Sequence, residues 1–352
     1  MSFAFTSSVL GVNCSARSAV LIESQSGDVI YEKNAYEKLP MASTTKIMTA
    51  IVAIENCDLD KEVTIPPEAV GIEGSSLYLK QDDKMSMREL LFGLMLRSAN
   101  DAAVAIAVNI SGSVEGFADL MNTKAKELGL ENTHFMNPNG LDDENHYTTA
   151  YDLARLTHYA MQNSAFAEIV STLKYSVNGN TVVNHNKLLR IYEGCCGVKT
   201  GFTKKSGRCL VSAATREGVS LIAVTLNAPD DWNDHKAMFD MGFSEYKSVE
   251  LCTAGSLTFE LDCAGGKSDK IKVTNRDSVV VSLRQSSSEV SCIVETKGPS
   301  LLFSPIKKGT ELADAVFYQN GRVIARVPLY ANENLESKQY KKSFWDHINI
   351  FN

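Results

Sequence analysis

No stretch of the chain approaches the roughly 18 consecutive apolar residues that a membrane-crossing helix needs, so no transmembrane helix is expected. Basic residues are not in surplus either: 35 Lys and Arg against 42 Asp and Glu leave a net charge of −7, with the two signs interspersed. A chain without a basic stripe cannot neutralise a phosphate backbone, which removes nucleic acid from the expected partners. The eight cysteines include no CxxC pair and no histidines at zinc-ligand spacing, so neither a metal site nor a cofactor is expected. Their even number permits disulfides in an exported chain, with Cys252 and Cys263 one candidate pair and buried free thiols the alternative. His134, His146, His185 and His235 are dispersed, and no acidic residue is placed to complete a Ser-His-Asp arrangement. They read as structural or surface residues.

What is present suffices for two domains around real cores: 352 residues, 44% of them hydrophobic. The opening "MSFAFTSSVLGVNCSA", residues 1–16, reads as the later half of a secretory signal without its basic start, or else as a first strand or loose end. Cys14 is a poor lipidation site, because Asn13 stands where a small residue is wanted. "RSAVLIESQSGDVIYEKN" gives two alternating runs around Ser-Gly-Asp, a hairpin signal. A helical block comes next. Its markers are the apolar face of Ile47, Ala50, Ile51 and Ile54, a capping box at Ser86 and Glu89 ahead of "ELLFGLMLR", and amphipathic segments around an Asn-Pro-Asn-Gly turn at Asn137–Gly140. "GRCLVSAATREGVSLIAVTLNA" then returns to strands, and "DWNDHKAMFDMGFSEY", with Trp232 as its anchor, to helix. Strands at both ends with helices between predict an α/β (α+β) domain over residues 17–246, one antiparallel sheet carrying a helical subdomain. After about Lys247 short β-like runs broken by Gly, Asp and Asn predict a small all-β domain over 247–332. The tail, 333–352, puts Phe344, Trp345, Ile348 and Phe351 near one stripe beside Lys338, Lys341 and Lys342, as an interfacial membrane helix would.

Chemistry enters at "MASTTK". A serine three residues before a lysine shares its helical face, and Lys46 lies on the side of Ala50 and Ala53, where burial would lower its pKa enough to accept a proton from Ser43. The pattern alone is weak, since Ser-x-x-Lys recurs at Ser171, Ser244 and Ser304. Ser-x-Asn occurs at Ser98 and Ser176, and Lys-Thr-Gly once, at Lys199–Gly201. Only Ser43, Ser98 and Lys199, in that order and 55 and 101 residues apart, leave room for helices between the motifs.

That set resembles the penicillin-binding proteins and serine β-lactamases. The flanks "LPMASTTKIMTA", "LMLRSANDAAVAIA", "HFMNPNGLDDENHYTTAYDLA" and "GVKTGFTKKSGRCLVSAA" narrow the likeness to the low-molecular-mass D-alanyl-D-alanine carboxypeptidases, over about Ser18 to Phe243. The resemblance implies a β-lactamase-like domain, an exported enzyme acting on peptidoglycan stem peptides ending in D-Ala-D-Ala, and β-lactams as covalent inhibitors. It implies Ser43 as nucleophile, Lys46 as general base and Ser98 as proton relay. By the same likeness Asn100 holds the substrate backbone or Lys46, and Lys199 supplies positive potential for the terminal carboxylate. Thr200 donates a hydrogen bond, Gly201 leaves the strand open, and the amides of Ser43 and Phe202 form the oxyanion hole. A β-lactamase of the kind that uses a glutamate-bound water is disfavoured, because in "ELGLEN" Glu131 stands where that loop needs asparagine. A transpeptidase, which differs only in its acceptor, and a silent ligand-binding relative are the alternatives.

Overall fold

In a computed structural model of the chain, residues 12–286, 289–298 and 301–338 are described. The chain divides into two compact units, Met1–Lys247 and Ser248–Asn352.

The first unit is built on strands β1 (Ser18–Glu23), β2 (Val29–Lys33), β3 (Glu62–Thr64), β4 (Lys84–Ser86), β5 (Lys174–Val177), β6 (Asn180–Val183), β7 (Cys195–Thr203), β8 (Gly207–Arg216) and β9 (Val219–Leu226). Its helices are α1 (Lys46–Asn56), α2 (Met87–Phe92), α3 (Asn100–Ser111), α4 (Val114–Glu127), α5 (Ala150–Met161), α6 (Ser164–Ser171), α7 (Leu188–Ile191) and α8 (Asp231–Glu245). Five strands form one antiparallel sheet in the order β2-β1-β9-β8-β7, so both ends of the unit's sequence meet in it as the pattern predicts.

Strands β1 and β9 are almost continuously apolar because the sheet is covered twice. Val20, Ile22, Val211, Ile222 and Val224 face a core shared with α1 to α6, while Leu21, Leu210, Leu221 and Ala223 face Met238 and Phe239 of α8. Helix α1 lies inside the first core, with every residue from Lys46 to Ala53 buried. The predicted capping box is formed: Ser86 accepts from the Glu89 amide, and Glu89 accepts from the Ser86 amide. "ELLFGLMLR" is not one α-helix, however. After Phe92 the chain widens into a π-turn, Gly93–Arg97, which ends on Ser98 in the left-handed region at φ 63°. Such turns insert one residue per turn and re-aim the downstream chain, here the Ser-Ala-Asn motif.

The first predicted boundary needs correcting. Cys14 and Ala16 are buried in the α8-side core, and Ser15 donates from its amide and hydroxyl to Asp234. Residues 12–16 therefore belong to the folded unit; the rest of the predicted signal segment, 1–11, lies outside the described residues.

In the second unit β10 (Tyr246–Cys252) pairs with β13 (Val279–Arg284). A six-stranded sheet runs β14-β16-β17-β12-β11-β15, from β11 (Thr258–Ala264), β12 (Lys270–Asn275), β14 (Ser291–Thr296), β15 (Leu302–Phe303), β16 (Glu311–Gln319) and β17 (Arg322–Ala331). Cys252 and Cys263 are both buried there as free thiols, so the candidate disulfide is not formed; all eight cysteines are free. Leu335 fills the same core and Lys338 pairs with Asp269 at 2.9 Å, so 333–338 is part of this unit and not of a separate tail. The remaining tail, 339–352, lies outside the described residues.

Candidate active site

Ser43 sits in a one-turn 3₁₀ segment, Ala42–Thr45, that leads into α1. The turn is braced from below. Thr45 Oγ1 donates to the Ala42 carbonyl at 2.8 Å and lies 2.7 Å from His146 Nε2. The Met136 amide donates to His146 Nδ1 at 3.0 Å, which leaves the proton on Nε2 and directs it at Thr45. Burial pushes the imidazole down to about 4, so it serves as a neutral strut. The Asn-Pro-Asn-Gly turn packs beneath. Gly140 has φ +84°, and a Cβ there would fall 2.1 Å from the Ala42 carbonyl oxygen, so only glycine brings this turn up against the serine.

Lys46 is fully buried, its Nζ 3.0 Å from Ser43 Oγ. The other two partners of Nζ are Asn100 Oδ1 at 2.7 Å and the Asn139 carbonyl at 2.5 Å. Loss of water holds its pKa well below the ordinary lysine value, the charge of Lys199 lowers it further, and Asp101 opposes both. Asn100 is the first residue of α3, and its Nδ2 donates to the Glu73 carbonyl at 2.6 Å, which fixes Oδ1 toward the lysine. Neighbouring Asp101 accepts from Ser76 Oγ and from the amides of Leu77 and Leu79, pinning the loop that carries Ser75 to the mouth of the site.

Strand β7 closes the site from the other side. A Cβ on Gly201 would stand 3.1 Å from the amides of Ser43 and Thr44, so the strand backbone lies directly against the serine turn. Lys199 is 1% exposed, donates to the Thr200 carbonyl at 2.8 Å, and is pulled down by burial to about 7. A cleft of about 350 Å³ opens over these elements, lined by Ser43, Ser98, Thr200, Gly201 and the exposed Phe202.

All eight residues expected from the motifs therefore converge on one site, with Ser43, Ser98, Thr200, Gly201 and Phe202 on the cleft wall and Lys46, Asn100 and Lys199 behind it. The decoy motifs lie elsewhere: Ser171 ends α6, and Ser176 sits in the β5–β6 hairpin. Sequence reasoning missed the Asn139 carbonyl, Asp101 and Arg208; it read His146 as structural or surface, which it is, without placing it under the serine turn. Only Asn139 left a legible signal, its turn, and nothing in a turn motif says which carbonyl will face a buried lysine.

A serine beside a desolvated lysine, at the junction of a helical subdomain and an antiparallel sheet, defines an active-serine enzyme of the penicillin-binding class. The sequence profile of the D-alanyl-D-alanine carboxypeptidase family matches residues 4–230, and that of the C-terminal domain of penicillin-binding protein 5 matches residues 246–337. The chain belongs to the D-alanyl-D-alanine carboxypeptidase family, peptidase S11. It is 35% identical to D-alanyl-D-alanine carboxypeptidase DacF of Bacillus subtilis, across 91% of this chain and 86% of that one. Among solved structures, penicillin-binding protein 5 of Haemophilus influenzae superposes with a TM-score of 0.74 at 27% identity, covering 92% of this chain and 98% of its own. The Streptomyces K15 DD-transpeptidase, at 35% identity and TM-score 0.63, covers 66% of this chain and 98% of its own.

Proposed function

We propose that this protein is a serine-type D-Ala-D-Ala carboxypeptidase that removes the last D-alanine of peptidoglycan stem peptides through an acyl-enzyme on Ser43. The observation that carries the reading is Lys46: an amine sealed from water, 3.0 Å from a hydroxyl that opens into a cleft. Neutral Lys46 takes the Ser43 proton as the oxygen attacks the carbonyl between the two D-alanines. The amides of Ser43 and Phe202 receive the oxyanion, and the close approach of β7 to the serine turn supports that pairing. Ser98 passes a proton to the departing amine, so that D-alanine leaves neutral at nitrogen. Asn100 keeps Lys46 aimed, Thr200 donates to the substrate, and Lys199 contributes its field from behind the strand. Water, activated by Lys46, then cleaves the ester and restores the enzyme.

Penicillins would enter the same path and stall at the ester. Glu127, the residue the Glu-x-x-Leu-Asn pattern would make catalytic in a β-lactamase, is on the surface, paired with Lys124 at 2.8 Å, so a glutamate-bound water is not part of this reading. The likeness to a protein described as a DD-transpeptidase keeps amine transfer as the second reading. Because stem peptides lie outside the cell membrane, we place the enzyme there too.

The test is release of D-Ala from an acyl-D-Ala-D-Ala peptide, with and without a competing amine, alongside fluorescent-penicillin labelling read by intact mass. Wild type should release D-Ala and gain one adduct, and Ser43→Ala should do neither. Absence of an adduct on wild type would remove the acyl-enzyme reading, and amine adducts outrunning D-Ala acid product would favour the transpeptidase.

A further inference from the structure

The second unit has a cleft of its own, which none of the chemistry above uses. About 320 Å³ opens where the end of β12, the turn ahead of β16 and the end of β17 meet, lined by Thr274, Arg276, Lys308, Gly309, Tyr330 and Asn332 among others. Thr274 and Tyr330 are paired across β12 and β17, and they alternate with the core residues Val273 and Leu329, so the cleft lies on the face of the sheet turned away from the core.

Two contacts and a glycine seat the Arg276 guanidinium. Its carbon lies 3.9 Å from the centre of the Tyr330 ring, and Nη2 donates to the Gly309 carbonyl at 3.1 Å. Gly309 is in the left-handed region at φ +83°, and a Cβ there would fall 2.7 Å from Nη2, so glycine leaves the guanidinium its place. The turn itself is tied down: the Gly309 amide donates to the Ala331 carbonyl at 2.8 Å and the Lys308 amide to Asn334 Oδ1 at 2.7 Å.

What this seat lacks is an acid. Among the described residues neither Arg276 nor Lys308 has an ion pair, and no carboxylate lines the cleft. Acids on the neighbouring segments are spent elsewhere, Glu311 on Lys297, Glu336 on Lys267 and Glu260 on Lys270. In a chain of net charge −7, two uncompensated cations on one cleft are a local reversal of sign. A guanidinium held by its face and by Nη2 keeps Nε and Nη1 for a ligand, and the Lys308 ammonium meets the same space from a different segment. A carboxylate offers two oxygens in one plane. A tetrahedral phosphate offers oxygens in several directions, which suits a fork and a point charge that arrive separately.

We propose that the Arg276–Lys308 cleft binds a phosphate ester, with Arg276 taking two of its oxygens and Lys308 a third. The site is separate from the acyl-enzyme chemistry and stands whether or not the carboxypeptidase reading does. Two sources share this chemistry. One is a soluble phosphate ester; the other is the headgroup of an anionic lipid, to which a tail with the sequence of an interfacial helix would bring the second unit close.

Calorimetric titration of the full chain with sn-glycerol 3-phosphate reads the soluble source. Wild type should bind it; Arg276→Gln should weaken binding by about 10- to 100-fold and Lys308→Gln by several-fold, as for lost hydrogen bonds to a charged group. Arg276→Lys, which keeps the charge and loses the fork, should fall between wild type and Arg276→Gln. Lys61→Gln, which removes an exposed cation from the first unit, should change nothing. Sedimentation of the full chain with phosphatidylcholine vesicles, with and without phosphatidylglycerol, reads the lipid source. One headgroup contact is too weak to hold a chain on a vesicle alone, so a lipid ligand shows as several-fold weaker partition of Arg276→Gln on the anionic vesicles only, with Lys61→Gln sedimenting as wild type. Either effect supports the site and identifies its source. Arg276→Gln behaving as wild type in both measurements overturns the inference, as does a wild type that binds acetate as tightly as glycerol phosphate. Penicillin acylation at the wild-type rate and an unchanged melting temperature verify that each variant is folded. Should Arg276→Gln not fold, Lys308→Gln decides on the same two readings.

Discussion

Lys46 is fully buried with three oxygen partners, and the cation that depresses it is Lys199, itself buried. Two ammonium groups in one dry site cannot both stay charged cheaply, so the pair loses its first proton well below the ordinary lysine value of 10.5. Acylation needs Lys46 neutral, and its rate should therefore rise with pH and level off far below 10.5. The sign of the Lys199 contribution gives the test. Its charge lowers Lys46, so Lys199→Gln should shift the rising limb to higher pH, by on the order of one unit. Second-order rates of fluorescent-penicillin acylation between pH 5 and 10 would show it, and a limb that stays put or moves to lower pH contradicts the coupling. At this scale the sequence disclosed the motif residues through their order and spacing. It could not disclose the Asn139 carbonyl, His146 or Arg208, because each reaches the site by tertiary packing that leaves no local pattern.

Among the elements, β7 and the serine turn are fitted to one another at Gly201, where added bulk would press on the amides of Ser43 and Thr44. Gly201→Ala should therefore displace a donor of the proposed oxyanion hole and lower the acylation rate by about 10- to 100-fold, with little change in melting temperature. An alanine variant that acylates at the wild-type rate would show that the strand has slack. Elements with strong periodicity were legible: the β1–β2 and β8–β9 hairpins, α1 and the Ser86 cap all fall where the pattern puts them. Two kinds were not. The short β5–β6 hairpin has four-residue strands, too brief for a period, and β16 reads "ELADAVFYQ", whose three buried alanine and leucine positions mimic a helix. The π-turn before Ser98 was hidden for another reason: its composition is that of any buried helix, and only the packing of Gly93 against Leu77 marks the departure.

For the whole molecule the composition implied two domains, and the chain does form two compact units divided at Lys247. The Streptomyces relative covers about two thirds of this chain and nearly all of its own length, so a first unit without the second is a workable protein elsewhere. Chains ending at Lys247, at Lys338 and at Asn352 should accordingly acylate with penicillin at similar rates. Co-sedimentation with anionic lipid vesicles should be confined to the longest chain if the stripe of Phe344, Trp345, Ile348 and Phe351 is a membrane contact. Loss of acylation in the shortest chain would mean that the second unit supports the first, and equal sedimentation of all three would remove the contact.

The sheet order β2-β1-β9-β8-β7 leaves β7 paired on one side only. An edge strand is a hazard in most proteins, since its spare amides and carbonyls invite a stranger to pair. Here that invitation is directed at a cleft, and an extended peptide can dock as a sixth strand by its main chain alone. Recognition of that kind ignores most side chains and registers the spacing of amide and carbonyl. A small rigid ring that reproduces the spacing passes the same inspection, and vulnerability to such mimics is thus a property of the sheet's edge as much as of the serine.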